Sequence, residues 1–378
     1  MKVVKFITSH GGVGYSGKGG HYHSLSTIAN ELSSHYEIEV YSFGNNPSEV
    51  LKNKLKKLRL KHVYIKGISD LFKFHKDNDL IESIKSSDII HCYDKESLIQ
   101  GARLSRVFSK PLAFTRCGGS NPSTYFPYVP NAVFFSEENC KYFQSNKLTG
   151  KNSCVISNRI KKIKPDINRI TLLKSHYNIK NEKIVMHIAR FTKKYMFAHL
   201  QSIDLVNHFR KKGIKCKLLL IGHNIDKDVT ENVYSKMGDN DYIVNESKFC
   251  NNANELFYAA DYVVGQGRVI MEALQFNKTM YIPTKNDDLP IQITDLNANK
   301  FIKFNMTGRA VDSGIIQNKN KGLPINSRQI FSDIYSIKTA IGKYDEFYKN
   351  CIVNKNSITL KDELLMFINK LLKLMSVR

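Results

Sequence analysis

Short apolar runs alternate with longer stretches of helical periodicity along the chain. In the first half, Val3 to Thr8, Ile38 to Phe43, Asp88 to Tyr93, Leu112 to Thr115 and Ala132 to Phe135 read as strands. Each is a compact run rich in β-branched and aromatic residues. His21 to Ser34 and Ser97 to Phe108 repeat apolar residues at the spacing of one helix face. The rhythm restarts in the second half. Ile184 to Ile188, Lys217 to Ile221, Tyr242 to Asn245, Tyr262 to Val264 and Met280 to Ile282 are its expected strands, and Ala198 to Lys212, Asn252 to Ala260 and Val269 to Phe276 its expected helices. The tail from Ile330 to Met375 reads as mostly helical.

Strands and helices in this order bury a parallel sheet between helical layers, so the expected fold is α/β with two Rossmann-like α/β/α domains. The basic, polar stretch Lys161 to Asn181 contains Pro165 and has no strong period, which places the seam there. Residues 1–165 then form the first domain and residues 166–354 the second. Ligands of open parallel sheets bind outside the carboxyl ends of the strands, so chemistry is expected in a cleft onto which both sets of ends open.

The length of 378 residues suits two domains, and 42% hydrophobic residues can fill their cores. No run of about 18 apolar residues occurs, and MKVVKFITSHGG passes from a short apolar strand into a glycine loop, unlike a signal peptide. A cytoplasmic location is the expectation. The seven cysteines include no C-x-x-C pair and read as reduced thiols rather than a disulfide or zinc framework. Lysine and arginine number 57 against 34 acids, a formal charge of +23. The excess is concentrated in Leu51 to Lys66 and Lys141 to Arg169. Such tracts attract an anionic leaflet or nucleic acid, or are simply a solvated surface.

The most informative chemistry lies in Asp261 to Leu274, DYVVGQGRVIMEAL. A strand enters a Gly265-x-Gly267 turn that opens directly into a helix beginning near Arg268 and carrying one acid, Glu272. Glycines let a backbone approach a ligand closely, and the first turn of a helix offers N–H groups to phosphate. A carboxylate one turn further on can accept hydrogen bonds from sugar hydroxyls. Together these suit a nucleotide sugar. Just past the strand Ile184 to Ile188 come Arg190, Lys193 and Lys194, fixed cations that could stabilise a departing diphosphate.

The N-terminal loop GGVGYSGKGG partly matches two other phosphate motifs. Gly12-x-Gly14-x-x-Gly17 follows a strand, as a dinucleotide fingerprint does, but the helix starts only after Gly20. Gly12 to Lys18 also fits the P-loop spacing, yet Gly19 stands where a Ser or Thr should hold magnesium. The better reading is a loop whose Gly19 and Gly20 feed a helix and approach phosphate or acceptor sugar. Asp77-Asn78-Asp79 and Asp239-Asn240-Asp241 have the spacing of a metal-binding pair, but both sit in Asn-rich stretches that favour ordinary turns. His10, His21, His23 and His91 all fall near expected strand ends or loops. Each is a candidate base or hydroxyl contact, or a structural hydrogen-bonder.

The glycine loop before a helix, Arg then Lys after the first strand of the second half, and GQGRVIMEAL together resemble the GT-B-fold glycosyltransferases. The nearest kind is the retaining family 4 (glycosyl transferases group 1) of bacterial polysaccharide biosynthesis. The resemblance spans most of the chain, is strongest from Ile184 to Pro283, and takes in Thr115 to Asn139. It implies two Rossmann-like domains facing across a cleft, with a C-terminal helix at about 355–378 crossing back to the first. It also implies that Glu272 holds the donor ribose, that Gly265, Gly267 and Arg268 form the donor turn, and that Arg190 contacts the diphosphate. It implies that Gly19 and Gly20 lie near the transferred phosphate, and Arg116, Gly118, Gly119 and His91 are expected on the acceptor side. The chain departs from the family where Val264 replaces the first acid of the E-x-x-x-x-x-x-x-E pair. A second departure is Tyr195, which occupies the usual lysine position, so that Lys194 substitutes. The third is Arg116-Cys117-Gly118, which stands where a histidine is frequent.

The expectation is therefore a metal-independent glycosyltransferase with catalytic Arg190, Lys194 and Glu272. It would move a hexose-type sugar from a UDP- or GDP-linked donor to a glycan or polyprenyl-diphosphate-linked acceptor, in capsule or O-antigen synthesis. The basic tracts would dock it on the inner face of the cytoplasmic membrane. The alternatives are a basic α/β protein that binds nucleic acid, and a catalytically silent protein of GT-B fold.

Overall fold

The structure is a computed structural model that describes residues 2–10, 20–55, 58–64, 77–122, 126–316, 322–354 and 358–375. Among these residues the chain divides into two compact units, 1–159 with 336–378, and 160–335.

The first unit is built on a seven-stranded sheet. Its strands are β1 (Val3–His10), β2 (Glu37–Gly44), β3 (Leu60–Tyr64), β4 (Ile89–Cys92), β5 (Leu112–Arg116), β6 (Val129–Phe134) and β7 (Thr149–Val155), in the order β3-β2-β1-β4-β5-β6-β7. Every pairing is parallel. Alternate residues supply opposite faces, as a parallel sheet covered on both sides requires. Val4 and Phe6 pack with Tyr22, Leu25 and Ile28 of the helix Gly20–Leu32, whereas Ile7, Ile90 and Phe114 pack with Leu98 and Ala102 of the helix Ser97–Phe108. Each large apolar side chain so buried contributes roughly 1.5–3 kcal/mol.

The second unit holds β8 (Lys183–Ile188), β9 (Cys216–Ile221), β10 (Tyr242–Val244), β11 (Tyr262–Val264), β12 (Thr279–Ile282) and β13 (Ile291–Gln292). Their order is β10-β9-β8-β11-β12-β13, parallel except for the antiparallel β13. Val185 and Leu218 meet Ile203 and Val206 of the helix Met196–Lys211 on one face, and Ile184 and Met186 meet Leu256, Ile270 and Met271 on the other.

Several elements differ from expectation for identifiable reasons. β3 and β7 are the two edges of the first sheet, and their half-buried, lysine- and asparagine-bearing sequences lack the apolar run that marks an interior strand. Short helices begin at side-chain caps: Asp77 accepts from Leu80 N, Ser136 from Asn139 N, Asp166 from Arg169 N and Asp226 from Val229 N. A cap of this kind is worth about 1 kcal/mol. The expected helix Asn252 to Ala260 is a 3₁₀ helix, Ala253–Ala259, entered through Asn252 at φ 49°. The seam lies at 159/160 rather than 165/166, and the return to the first unit begins at Ser336 rather than near 355. The reason is the helix Ile341–Asn354, whose Tyr344, Phe347, Tyr348 and Cys351 complete the core of the first unit.

Lys5 of β1 is 2% exposed and pairs with Glu39 of β2 at 2.9 Å. Burial alone would raise the Glu39 carboxyl. Hydrogen bonds from Ser83 and Lys5, with the charges of Lys5 and Lys61, outweigh it and hold the group at about 2. The unfolded chain therefore takes up a proton near 4.5 while the folded protein resists it, so stability falls as the pH drops from about 5 towards 2. Urea unfolding followed across that range should show a shallower loss for Glu39→Gln than for the natural chain, by on the order of 1 kcal/mol. Equal slopes would mean that the pair carries no pH-dependent stability.

Candidate functional site

β8 and β11 lie side by side, but the chain leaves β8 for β9 and β10 on one side and reaches β11 and β12 on the other. This is a topological switch point, where the loops at the carboxyl ends diverge and leave room for a ligand. Arg190, Gly265, Gly267, Arg268 and Glu272 all follow the ends of these two adjacent strands.

The exit of β11 is held from several sides. Gly265 N donates to Tyr281 O at 3.0 Å and Gly267 N to Met306 O at 2.7 Å. Gln266 Nε2 donates to Pro283 O at 3.2 Å. Gly267 has φ 58° and ψ −123°, a conformation open in practice only to glycine. The helix Arg268–Ala273 follows at once and continues as a 3₁₀ turn, Leu274–Phe276. Its Glu272 is buried, and Oε1 accepts from Arg268 Nε at 2.7 Å. Among the described residues nothing hydrogen-bonds Oε2, and Arg268 Nη1 is buried without a partner. The carboxylate is thus fixed in direction, with an acceptor atom to spare. Val264, at the position of the missing acid, is the last residue of β11 and fully buried.

The exit of β8 carries the cations. The Arg190 guanidinium lies 5.9 Å from the Tyr195 ring centroid and the Lys194 ammonium 5.5 Å from it, so one aromatic ring neighbours both. Among the described residues no carboxylate pairs with either of them. Tyr195, which stands where the family resemblance expects lysine, is thereby the neighbour of both cations. Lys193 and Lys194 form a 3₁₀ turn with Tyr195 and are exposed.

Sequence reasoning missed the residues that support these loops. A Cβ on Gly222, just past β9, would stand 1.8 Å from the Ala189 carbonyl oxygen, so only glycine lets the two exits meet. The strand-then-glycine string Leu218 to Gly222 was the available signal. Gln201 clamps the far side: its Oε1 accepts from Thr284 N and its Nε2 donates to Thr284 O, at 3.0 and 2.8 Å. His187 Nδ1 lies 2.8 Å from Val264 O, and His199 Nε2 lies 3.3 Å from Arg190 O. Burial drives both imidazoles down, His187 to about 3 with help from His199, and His199 to about 4.

The residues assigned to the acceptor side lie in the first unit. Gly118 and Gly119 take φ 93° and 88° in the loop after β5. Arg116 spans that loop, donating to Ser120 O at 2.8 Å while its guanidinium lies 5.8 Å from the Phe126 ring centroid. His91 requires a correction. It is fully buried, with Nδ1 2.8 Å from Tyr348 Oη and Nε2 2.8 Å from Thr115 Oγ1, and burial lowers it to about 3. It is a core histidine, since both nitrogens are occupied and no solvent reaches it. Gly20 opens the first helix, and Gly19 lies outside the described residues. Asp94, not singled out from sequence, binds Thr8 Oγ1, Ser9 N, Ser9 Oγ and Ser97 N, fixing the exit of β1.

One aspartate of each pair has structural employment. Asp77 caps its helix. Asp241 receives both Nη atoms of Arg210, at 2.9 and 2.6 Å, and Leu218 N as well. Among the described residues no group of three or more His, Cys, Asp or Glu could hold a metal ion. No helix among them is long and apolar enough to cross a membrane.

No family profile and no curated protein sequence matches the chain. Solved structures do match its fold. Anabaena Alr3699/HepE in complex with UDP and glucose is similar over 92% of this chain and 100% of its own, with TM-score 0.63 and 14% identity. A glycosyltransferase from Rickettsia africae ESF-5 covers 93% and 99%, with TM-score 0.65 and 14% identity. Sucrose-phosphate synthase (tll1590) from Thermosynechococcus elongatus covers 94% and 100%, with TM-score 0.58 and 13% identity. At these identities the likeness is one of fold. The chain has the GT-B architecture, with two parallel-sheet α/β domains.

Gly222→Ala should cost about 2 kcal/mol or more, because its methyl group meets backbone rather than a side chain that can turn away. Urea unfolding measures this; a variant as stable as the natural chain would show that the exits of β8 and β9 are not tightly apposed.

Proposed function

We propose that this chain is a glycosyltransferase that takes a sugar from a nucleoside-diphosphate donor and gives it to a glycan or lipid-linked acceptor. The observation that carries this reading is the pairing of charges at the switch point of the second unit. Two cations without carboxylate partners, Arg190 and Lys194, follow one strand, and a carboxylate with a spare acceptor oxygen, Glu272, follows its neighbour. A nucleoside diphosphate satisfies both. Its phosphates are anionic and its ribose hydroxyls are donors. HepE, which shares the fold, is described with UDP and with UDP-glucose, which supports the same ligand class here.

In this reading Glu272 accepts hydrogen bonds from the ribose through Oε2 while Arg268 holds Oε1. The Gly265–Gly267 turn lets the phosphates approach the backbone. As the bond between the anomeric carbon and the diphosphate oxygen breaks, negative charge grows on that oxygen, and Arg190 and Lys194 stabilise it. Arginine contributes a planar fork and lysine a point charge. The acceptor hydroxyl forms the new bond and passes its proton to the departing phosphate, so retention of configuration needs no protein nucleophile. The resemblance to family 4 supports retention and a role in capsule or O-antigen synthesis. UDP or GDP is the expected carrier, with no metal required.

Membrane docking of a polyprenyl-linked acceptor would rest on the basic tracts, and only part of the second, Lys141 to Arg169, is free for it. Arg159 is buried, and Arg169 is bound to Glu255 and to the carbonyls of Lys248 and Asn251. Lys161, Lys162 and Lys164 are exposed and remain to meet anionic lipid.

Titration calorimetry with UDP and GDP, followed by a panel of nucleotide sugars assayed for released nucleoside diphosphate, tests the proposal. One nucleotide should bind, Glu272→Ala should weaken it tenfold or more, and Arg190→Ala should slow turnover about a hundredfold. Failure of every nucleotide to bind, or indifference to both substitutions, would overturn the reading.

A further inference from the structure

We infer that His187 and His199 form a neutral imidazole latch that sets the position of Arg190 against the Gly265–Gly267 turn, and that they are positioning residues for the nucleotide. This deepens the proposed function and rests on it. A carbonyl oxygen only accepts, so the proton of His187 sits on Nδ1, 2.8 Å from Val264 O, and that of His199 on Nε2, 3.3 Å from Arg190 O. Each bond falls on the peptide that begins a ligand-facing loop. The Val264–Gly265 peptide then has its C=O held by His187 and its N–H by Tyr281 O. The Arg190–Phe191 peptide has its C=O held by His199 and its N–H by His223 O.

The two rings also touch. Their centroids are 4.9 Å apart at 86°, and His199 lies flat on Phe191 at 4.4 Å and 4°. A shift of either loop therefore moves a ring that bears on the other. His187 and His199 are 2% and 0% exposed, and the remaining nitrogen of each, Nε2 of His187 and Nδ1 of His199, has no partner. Buried acceptors left unpaired are costly, and an apolar pair would fill the space without that cost. What an apolar pair would lack is the two donors, and these are spent on the loops that carry Arg190 and the glycine turn.

Asparagine places an N–H near the position of Nδ1, and glutamine near that of Nε2. The test is a crossed set in the full chain: His187→Asn and His187→Gln, His199→Gln and His199→Asn, with UDP and GDP affinity measured beside thermal melting. The latch predicts that His187→Asn and His199→Gln bind within about threefold of the natural chain. Their counterparts, His187→Gln and His199→Asn, should bind about tenfold more weakly. Melting temperature should not sort the variants in this way, since all four bury an amide of similar polarity. Equal affinity across the set, or affinity that merely follows melting temperature, would overturn the latch and leave the nucleotide site standing. If the natural chain binds neither nucleotide, the functional reading falls and the latch falls with it.

Discussion

The pairing of β8 with β11 is the constraint on which the second unit depends. Both strands are interior and parallel, so their carboxyl ends emerge at one edge, and the chain arrives at them from opposite sides of the sheet. Backbone groups past the last ladder bond must find other partners. Here they find Tyr281 O, Met306 O and His223 O, together with two histidine side chains. The contact of Gly222 with Ala189 O brings a third exit, that of β9, against the first. These ties fix several points of the resulting surface, and its polar character comes from the side chains that they do not use.

Electrostatics follows from the same economy. The chain is strongly basic, yet much of that charge is employed internally. Arg210 grips Asp241, Arg169 joins Glu255 to a cluster of carbonyls, and Lys5 is buried against Glu39. Arg190 and Lys194 differ in having an aromatic ring rather than a carboxylate as their neighbour. Tyr195 neighbours each of them without neutralising it, which keeps their field available to an anion. Glu272 shows the complementary arrangement, with one oxygen engaged by Arg268 and the other not.

Interior strands and the switch-point motif were legible in the sequence, because burial on both faces demands apolar runs and the glycine turn has a recognisable spelling. The edge strands were not, since β3 and β7 face solvent on one side and their lysines and asparagines look like loop. The helix Ile341–Asn354 was visible as a helix, but not as part of the first core; only the packing of Tyr344 and Tyr348 reveals that. That Arg190, Gly265, Gly267, Arg268 and Glu272 follow strand ends could be read in advance, because each lies within a few residues of a strand that the apolar pattern marks. His187 and His199 could not, because a histidine inside a strand and another inside a helix acquire meaning only when tertiary structure aims them at Val264 O and Arg190 O. His91 is the converse, a histidine at a promising strand end that the fold turns into the core.

The central claim is that a nucleoside diphosphate sits on the exits of β8 and β11, against which the exit of β9 packs. Hydrogen exchange of the intact protein, measured with and without saturating nucleoside diphosphate, reads this directly at the backbone. The account predicts slowed exchange confined to the amides around 189–194, 222–224 and 265–270. Protection that appears elsewhere, with these segments unchanged, would contradict it.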